Sequence, residues 1–242
     1  MTVHAYILCW NEELILPYTL NHYSEFCDMI FLLDNMSDDR SLEIAKLYPK
    51  VTVKRWDSGG EIRDDLYVQI KSNVYKQSRG LADWVIVCDA DEFLVGYQQL
   101  ESLKMQGVST PRVIGYQMAS RFFPYYREDS PLLTNIIKTG FRDKVFDKQI
   151  IFDPTLDLSF GIGAHQFRVN DGRNVCSDSN LRLLHYKYLG SRYLHHKNVR
   201  AKSRLSKFNQ GSGAGIHYTA SEDDARNNVK GCLEVSEPIG FI

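Results

Sequence analysis

The chain has 242 residues, of which 43% are apolar and 24% charged, and its formal net charge is −1. That length is ample for a sizeable core in one large domain, and the composition is that of an ordinary globular protein. So small a net charge excludes a global field that would recruit nucleic acid or an anionic membrane.

The first half alternates. "VHAYILC" from Val3 is a short apolar run with strand character, and "EELILPYTLNHYSEF" after it has helical spacing. "DMIFLLD" predicts a second strand, "SLEIAKLYP" a helix ended by Pro49, and β-branched "VTVKRW" a third strand. "IRDDLYVQIKSNVYKQSRG" predicts a longer amphipathic helix with Leu66, Ile70 and Val74 on one face, and "DWVIVCD" a fourth strand. Apolar strands separated by helices imply a mainly parallel sheet covered on both faces. Beyond about residue 110 the alternation stops. "PRVIGYQMASRFF", "DKVFDKQIIFD" and "LRLLHYKYLG" read as extended, and "SRYLHHKNVRAKSRLSKF" as a helix capped by Ser191. "GSGAG" at 211–215 reads as a linker-like break before a helix in "SEDDARNNVKGCLEV". The expected organisation is a single α/β domain in which 1–110 forms one half, 111–210 a more β-rich second half, and 211–242 a tail.

Ligands of parallel α/β sheets bind outside the carboxyl ends of the strands. The acidic and amide clusters fall at such ends: Asn11 and Glu12 after the first strand, Asp34 and Asn35 after the second, Asp89 and Asp91 after the fourth. If the backbone stays extended, Asp89 and Asp91 project to one side. Two adjacent carboxylates repel unless a positive charge lies between them. A hard divalent cation, Mg²⁺ or Mn²⁺, resolves the conflict, using one or two carboxylates plus substrate phosphates. The alternative is a surface turn in which Asp89 caps backbone amides and Asp91 is solvated. Asn11 is likewise a good helix N-cap, and "DNMSDDRS" can be only an Asx-rich turn.

Taken in order, "CWNEE", "LNHYSEFCDMIFLLDNMSDD", a helix bearing Gln69 and Asn73, "ADWVIVCDADEFL" and "LRLLHYKYLGSRYLHHKNVRAKS" resemble the nucleotide-sugar glycosyltransferases of the GT-A fold, in a bacterial family-2-like subgroup. The likeness runs over roughly residues 3–205 as an ordered series. It implies a GT-A (Rossmann-like) α/β fold and an inverting transfer from a nucleoside diphosphate sugar, UDP being the family's commonest donor nucleotide. The acceptor implied is a glycan or lipid-linked saccharide, as in bacterial polysaccharide synthesis. Asp89, Asp91 and His185 are then expected to hold the metal on the donor diphosphate. Asn11, Glu12, Asp34, Asn35, Arg63, Gln69, Asn73 and Asp89 are expected to bind substrate, with Lys197 supplying positive charge. The general base is the thinnest part: Glu92 and His165 are its candidates, and no copy of the family's acidic pair is evident. "RFFPYYRE" (Arg121 to Glu128) is either an acceptor cleft or a packed loop.

Two other classes compete. A nucleotidyltransferase usually opens with a glycine-rich basic loop, and "CWNEEL" has neither glycine nor cation. A non-catalytic nucleotide-sugar or glycan-binding module would not need both aspartates. No G-x-x-x-x-G-K, G-x-G-x-x-G or G-x-S-x-G occurs. The five scattered cysteines contain no C-x-x-C and fit a reducing compartment. With no signal-peptide pattern and no run near the roughly 18 apolar residues of a span, the expectation is a cytoplasmic protein, at most peripherally membrane-bound.

Overall fold

The structure is a computed structural model that describes residues 1–129, 132–172, 175–213, 215, 218 and 221–240. The alternating first half builds β1 (Val3–Cys9), α1 (Leu16–Ser24), β2 (Met29–Asp34), α2 (Ser41–Ala45), β3 (Val51–Arg55), α3 (Asp64–Asn73) and β4 (Trp84–Asp89). β1 to β4 pair in parallel in the order β3-β2-β1-β4. β1 is buried along its whole length. Side chains alternate across a strand, so Ala5, Ile7 and Cys9 enter one core while Tyr6 and Leu8 enter the other. This is why the central strands read as continuous apolar runs.

The rest of the chain adds β5 (Glu92–Val95), α4 (Leu100–Met105), β6 (Thr110–Pro111), β7 (Ile114–Ser120), α5 (Leu133–Ile136), β8 (Thr139–Arg142), β9 (Ile151–Phe152), β10 (Leu158–Phe160), β11 (Phe167–Val169) and β12 (Cys176–Ser177). It closes with β13 (Arg182–Leu189), α6 (Ser191–Ser203), α7 (Lys207–Ser212), α8 (Glu222–Glu234) and β14 (Glu237–Pro238). A second sheet runs β14-β8-β7-β13-β5, with β7 and β13 parallel and the other pairs antiparallel. The architecture is thus mixed α/β, a mainly parallel sheet flanked by helices, with a more β-rich second half. The sheets do not part at residue 110: β5 belongs to the second sheet, and β9 returns to the edge of the first beside β4.

Several local expectations shift. α2 stops at Ala45 because the amides of Leu47 and Tyr48 already bond three residues back, so the helix tightens well before Pro49. Ser191 is the first helical residue of α6 rather than its cap; Gly190 holds the cap position at φ +85°, a conformation that glycine adopts without steric cost. Residues 211 and 212 of the expected linker end α7, whose N-cap Ser206 accepts from the Asn209 amide; Ala214 lies outside the described residues. Segment 143–153 is not continuously extended: it holds a 3₁₀ turn, Lys144–Phe146, before β9.

Candidate functional site

Asp89 and Asp91 do not share one strand. Asp89 ends β4, Glu92 starts β5, and Ala90 and Asp91 form the turn between the two sheets. That turn is pinned from two elements, α1 and β13. Thr19 Oγ1 on α1 donates to the Ala90 carbonyl at 2.6 Å, and Tyr23 Oη donates to the Glu92 carbonyl at 2.8 Å. From β13, the Tyr186 amide donates to the Asp91 carbonyl at 2.8 Å. Both carboxylates open onto a cavity of about 360 Å³, within the range of small-molecule sites.

Each aspartate has a lysine. Lys71 Nζ lies 2.8 Å from Asp89 Oδ1, and Lys197 Nζ lies 2.8 Å from Asp91 Oδ2. Burial opposes ionisation of both acids, but Lys71 and Lys148 outweigh it at Asp89, and Lys197 leads the opposing pull at Asp91. Both carboxyls are therefore held below their ordinary range, Asp91 far below. Lys197 also reaches Glu12 Oε1 at 2.9 Å. Burial pushes the Glu12 carboxyl up to about 7, although Lys197 pulls the other way.

Row register in the second sheet explains His185. It stands opposite Gln117 of β7 on one side and Glu92 of β5 on the other. Its Nε2 lies 3.5 Å from Asp91 Oδ2, and its ring stacks on Phe146 at 4.3 Å between centroids. Among the described residues no three of His, Cys, Asp and Glu group closely enough to hold a metal by themselves. Asp91 and His185 do offer one oxygen and one nitrogen at a spacing that one hard cation can bridge, with ligand phosphates and water completing its shell.

Glu92 is committed elsewhere. Its side chain is 1% exposed, Lys148 Nζ lies 2.5 Å from Oε1, and Oε2 accepts from the Asp89 amide at 3.1 Å. It braces the turn while lining the same cavity. His165 is different: Nδ1 donates to the Val145 carbonyl at 2.8 Å, which leaves Nε2 as the acceptor of the neutral ring. Burial and nearby Lys148 lower its pKa, so the ring is neutral at pH 7 and can take a proton.

Asn11, Glu12, Asp89 and Lys197 line the cavity; Asp34, Asn35, Arg63, Gln69 and Asn73 do not. Asn11 is no helix cap. It sits at φ +54°, which asparagine tolerates, and its Oδ1 accepts from the Asp38 and Asp39 amides. The loops after β1 and β2 are thereby stitched together. Buried Asp34 accepts from the Ser37 amide and pairs with Arg55. Asn35 is bonded to Ser58 and Tyr67. Arg63 pairs with Asp65, and Gln69 and Asn73 face solvent on the outer side of α3. The α3 stripe that meets the cavity is Asp64, Tyr67, Val68 and Lys71, one face at helical spacing. Lys71, Lys148 and Lys187 are functional candidates that sequence reasoning missed, and the polar stripe beside Leu66 and Ile70 was the available signal for Lys71.

Trp10, Trp56 and Tyr67 make one wall aromatic. Arg204 stacks on Trp10 at 3.4 Å and Arg200 lies 4.7 Å from the same ring. The 121–128 stretch does not line the cavity: Phe122 and Tyr125 are exposed, while Phe123 packs on Tyr193. Among the described residues no helix is long and apolar enough to cross a membrane.

No family model matches the chain. Among curated proteins, an uncharacterized glycosyltransferase of Rickettsia typhi is 28% identical over 183 residues. The chain resembles a glycosyltransferase. The match takes in 67% of this chain and 59% of that relative, so the chain spans about three fifths of the relative's length. Among solved structures, 4-diphosphocytidyl-2C-methyl-D-erythritol synthase aligns with TM-score 0.37 at 15% identity, over 64% of this chain and 76% of that one. Glucosyl-3-phosphoglycerate synthase from Mycobacterium tuberculosis, in complex with Mn²⁺, UDP and phosphoglyceric acid, aligns with TM-score 0.32 at 15% identity, over 48% and 43%.

Proposed function

We propose that the chain is a glycosyltransferase of the GT-A kind. It moves a sugar from a nucleoside diphosphate sugar, with UDP as the favoured nucleotide, to a hydroxyl of a glycan or lipid-linked saccharide. The reading rests above all on the turn between the two sheets, where Asp89, Asp91 and His185 meet Lys71 and Lys197 in one cavity. The likeness to the rickettsial glycosyltransferase supports it. A polyanion that brings its own cation suits this mixture of acids and lysines.

Asp91 and His185, with Asp89 beside them, would hold Mn²⁺ or Mg²⁺. That ion supplies electrostatic stabilisation of the leaving diphosphate. Lys71, Lys187 and Arg200 line the same cavity and add positive charge to it. Burial lowers the Lys187 pKa. Trp10, Trp56 and Tyr67 offer flat faces for the base. The acceptor oxygen attacks C1, the bond from C1 to the diphosphate oxygen breaks with inversion, and the hydroxyl proton passes to His165 Nε2. Glu92 holds the Asp89 amide and pairs with Lys148.

Titration calorimetry with UDP and GDP, with and without Mn²⁺, tests the reading. Nucleotide binding that needs Mn²⁺ and disappears in Asp91→Asn supports it. The variant should melt lower, because the ionised partner of Lys197 is lost, so binding is compared at a temperature where both proteins are folded. Failure of both nucleotides to bind in saturating Mn²⁺ would sink it.

A further inference from the structure

His185 is fixed on its edge and its face by one chain of contacts that begins at Asp143. Gln117 Nε2 donates to Asp143 Oδ2 at 2.9 Å, and Gln117 Oε1 lies 2.8 Å from His185 Nδ1. A carboxylate only accepts, so the amide cannot be turned round: its NH₂ end faces Asp143 and its carbonyl faces His185. A carbonyl also only accepts, so Nδ1 must carry the hydrogen. In the neutral ring Nε2 is then bare, and it is the nitrogen that looks at Asp91 from 3.5 Å. The other Asp143 oxygen accepts from the Val145 amide at 3.0 Å and caps the 3₁₀ turn that carries Phe146. Phe146 in turn lies flat on the His185 ring, 16° from parallel. Gln117 is 2% exposed, so water does not compete for its amide.

The opposite tautomer would behave differently. With hydrogen on Nε2, His185 would donate to Asp91, and the two side chains would satisfy each other. Neither would then present a lone pair between them. We propose that Gln117 and Asp143 are positioning residues that select the Nδ1-protonated tautomer of His185, so that Nε2 and the Asp91 carboxylate are offered together to a divalent cation. This rests on the reading of Asp91 and His185 as the cation's protein ligands. Outer contacts of this kind commonly change metal affinity by roughly 10–100-fold.

The test is ¹⁵N NMR of the imidazoles in the metal-free protein at about pH 8, above the ordinary histidine range, with Mn²⁺ affinity measured by calorimetry without nucleotide. Wild type should show His185 protonated at Nδ1 only. Asp143→Asn should invert the chain. The asparagine oxygen still serves the Val145 amide, its NH₂ then claims the Gln117 carbonyl, and the Gln117 NH₂ swings to His185. The hydrogen should move to Nε2, and Mn²⁺ affinity should fall by roughly 10–100-fold. Gln117→Leu, close in size, should release the tautomer and weaken Mn²⁺ similarly, which keeps the test intact if Asp143→Asn folds poorly. A wild-type ring protonated at Nε2, or variants with unchanged Mn²⁺ affinity, would overturn the proposal. So would a wild type that binds no Mn²⁺ at all. UDP binding is scored separately: if Mn²⁺ binds and the variants lose it while UDP never binds, the positioning role stands and the transferase reading falls.

Discussion

Lys148→Met should destabilise the protein by about 3–5 kcal/mol, the usual cost of breaking a buried ion pair from one side. The structure supplies the reason. The Glu92 side chain is 1% exposed and that of Lys148 5%, so water cannot replace the lost ammonium. The second Glu92 oxygen is already bonded to the Asp89 amide, which cannot neutralise the charge. In a chain of this size each kcal/mol moves the melting midpoint by about 2–4 °C, so the expected drop is about 6–20 °C. Glu92→Gln alone should also destabilise, because Lys148 is then left buried beside a neutral amide. The double variant should recover much of the loss, since no unpaired charge remains and the glutamine oxygen can still accept from Asp89. Thermal and urea unfolding of the four proteins gives the coupling energy of the cycle directly. The reasoning fails if Lys148→Met melts within about 3 °C of wild type, since under 2 kcal/mol is too little for a buried pair. It also fails if Glu92→Gln keeps its stability and loses only turnover, because that is the signature of a general base.

The pH dependence of stability carries a second expectation. The Glu12 carboxyl, pushed up to about 7 in the folded chain by burial against the pull of Lys197, titrates near 4.3 when unfolded. Folding therefore takes up a proton there, and the Glu12 contribution declines as pH rises from about 4.3 to about 7. Buried His22, lowered to about 4, has the opposite slope: its contribution is lost as pH falls from about 6.5 toward 4. That slope is common to wild type and Glu12→Gln, so the difference between their melting curves isolates Glu12. Glu12→Gln should gain on wild type between pH 5 and 8, and a flat difference would remove Glu12 from the account. Thr19→Val should cost about 1–3 kcal/mol, because it leaves the buried Ala90 carbonyl without its donor. Its Mn²⁺-dependent UDP affinity should fall as well, and an unchanged affinity would show that the turn does not need this pin.

What was legible in the sequence, and what was not, follows from the range of each interaction. β1 to β4 announced themselves because a strand covered on both faces must be apolar throughout. The chain itself then brings the residues after β1 and β4 to one edge, so Asn11, Glu12, Asp89 and Asp91 could be placed together. Asp34 and Asn35 obey the same rule and still turn away. Asp34 answers the Ser37 amide and Arg55, and Asn35 answers Ser58. Short polar side chains suit turns and ligands equally, and a loop has no period that says which way they face. The sheet switch hid between Asp89 and Glu92, where one unbroken motif in the sequence serves two sheets. The acids were visible because they cluster within four residues. Their counter-charges were not, because Lys148 and Lys197 come from 56 and 106 residues away. Gln117 and His185, 68 residues apart, meet only once β7 and β13 pair. A local motif can thus show where negative charge gathers. Its protonation state, and hence its chemistry, is set by partners that only the closed fold brings to it.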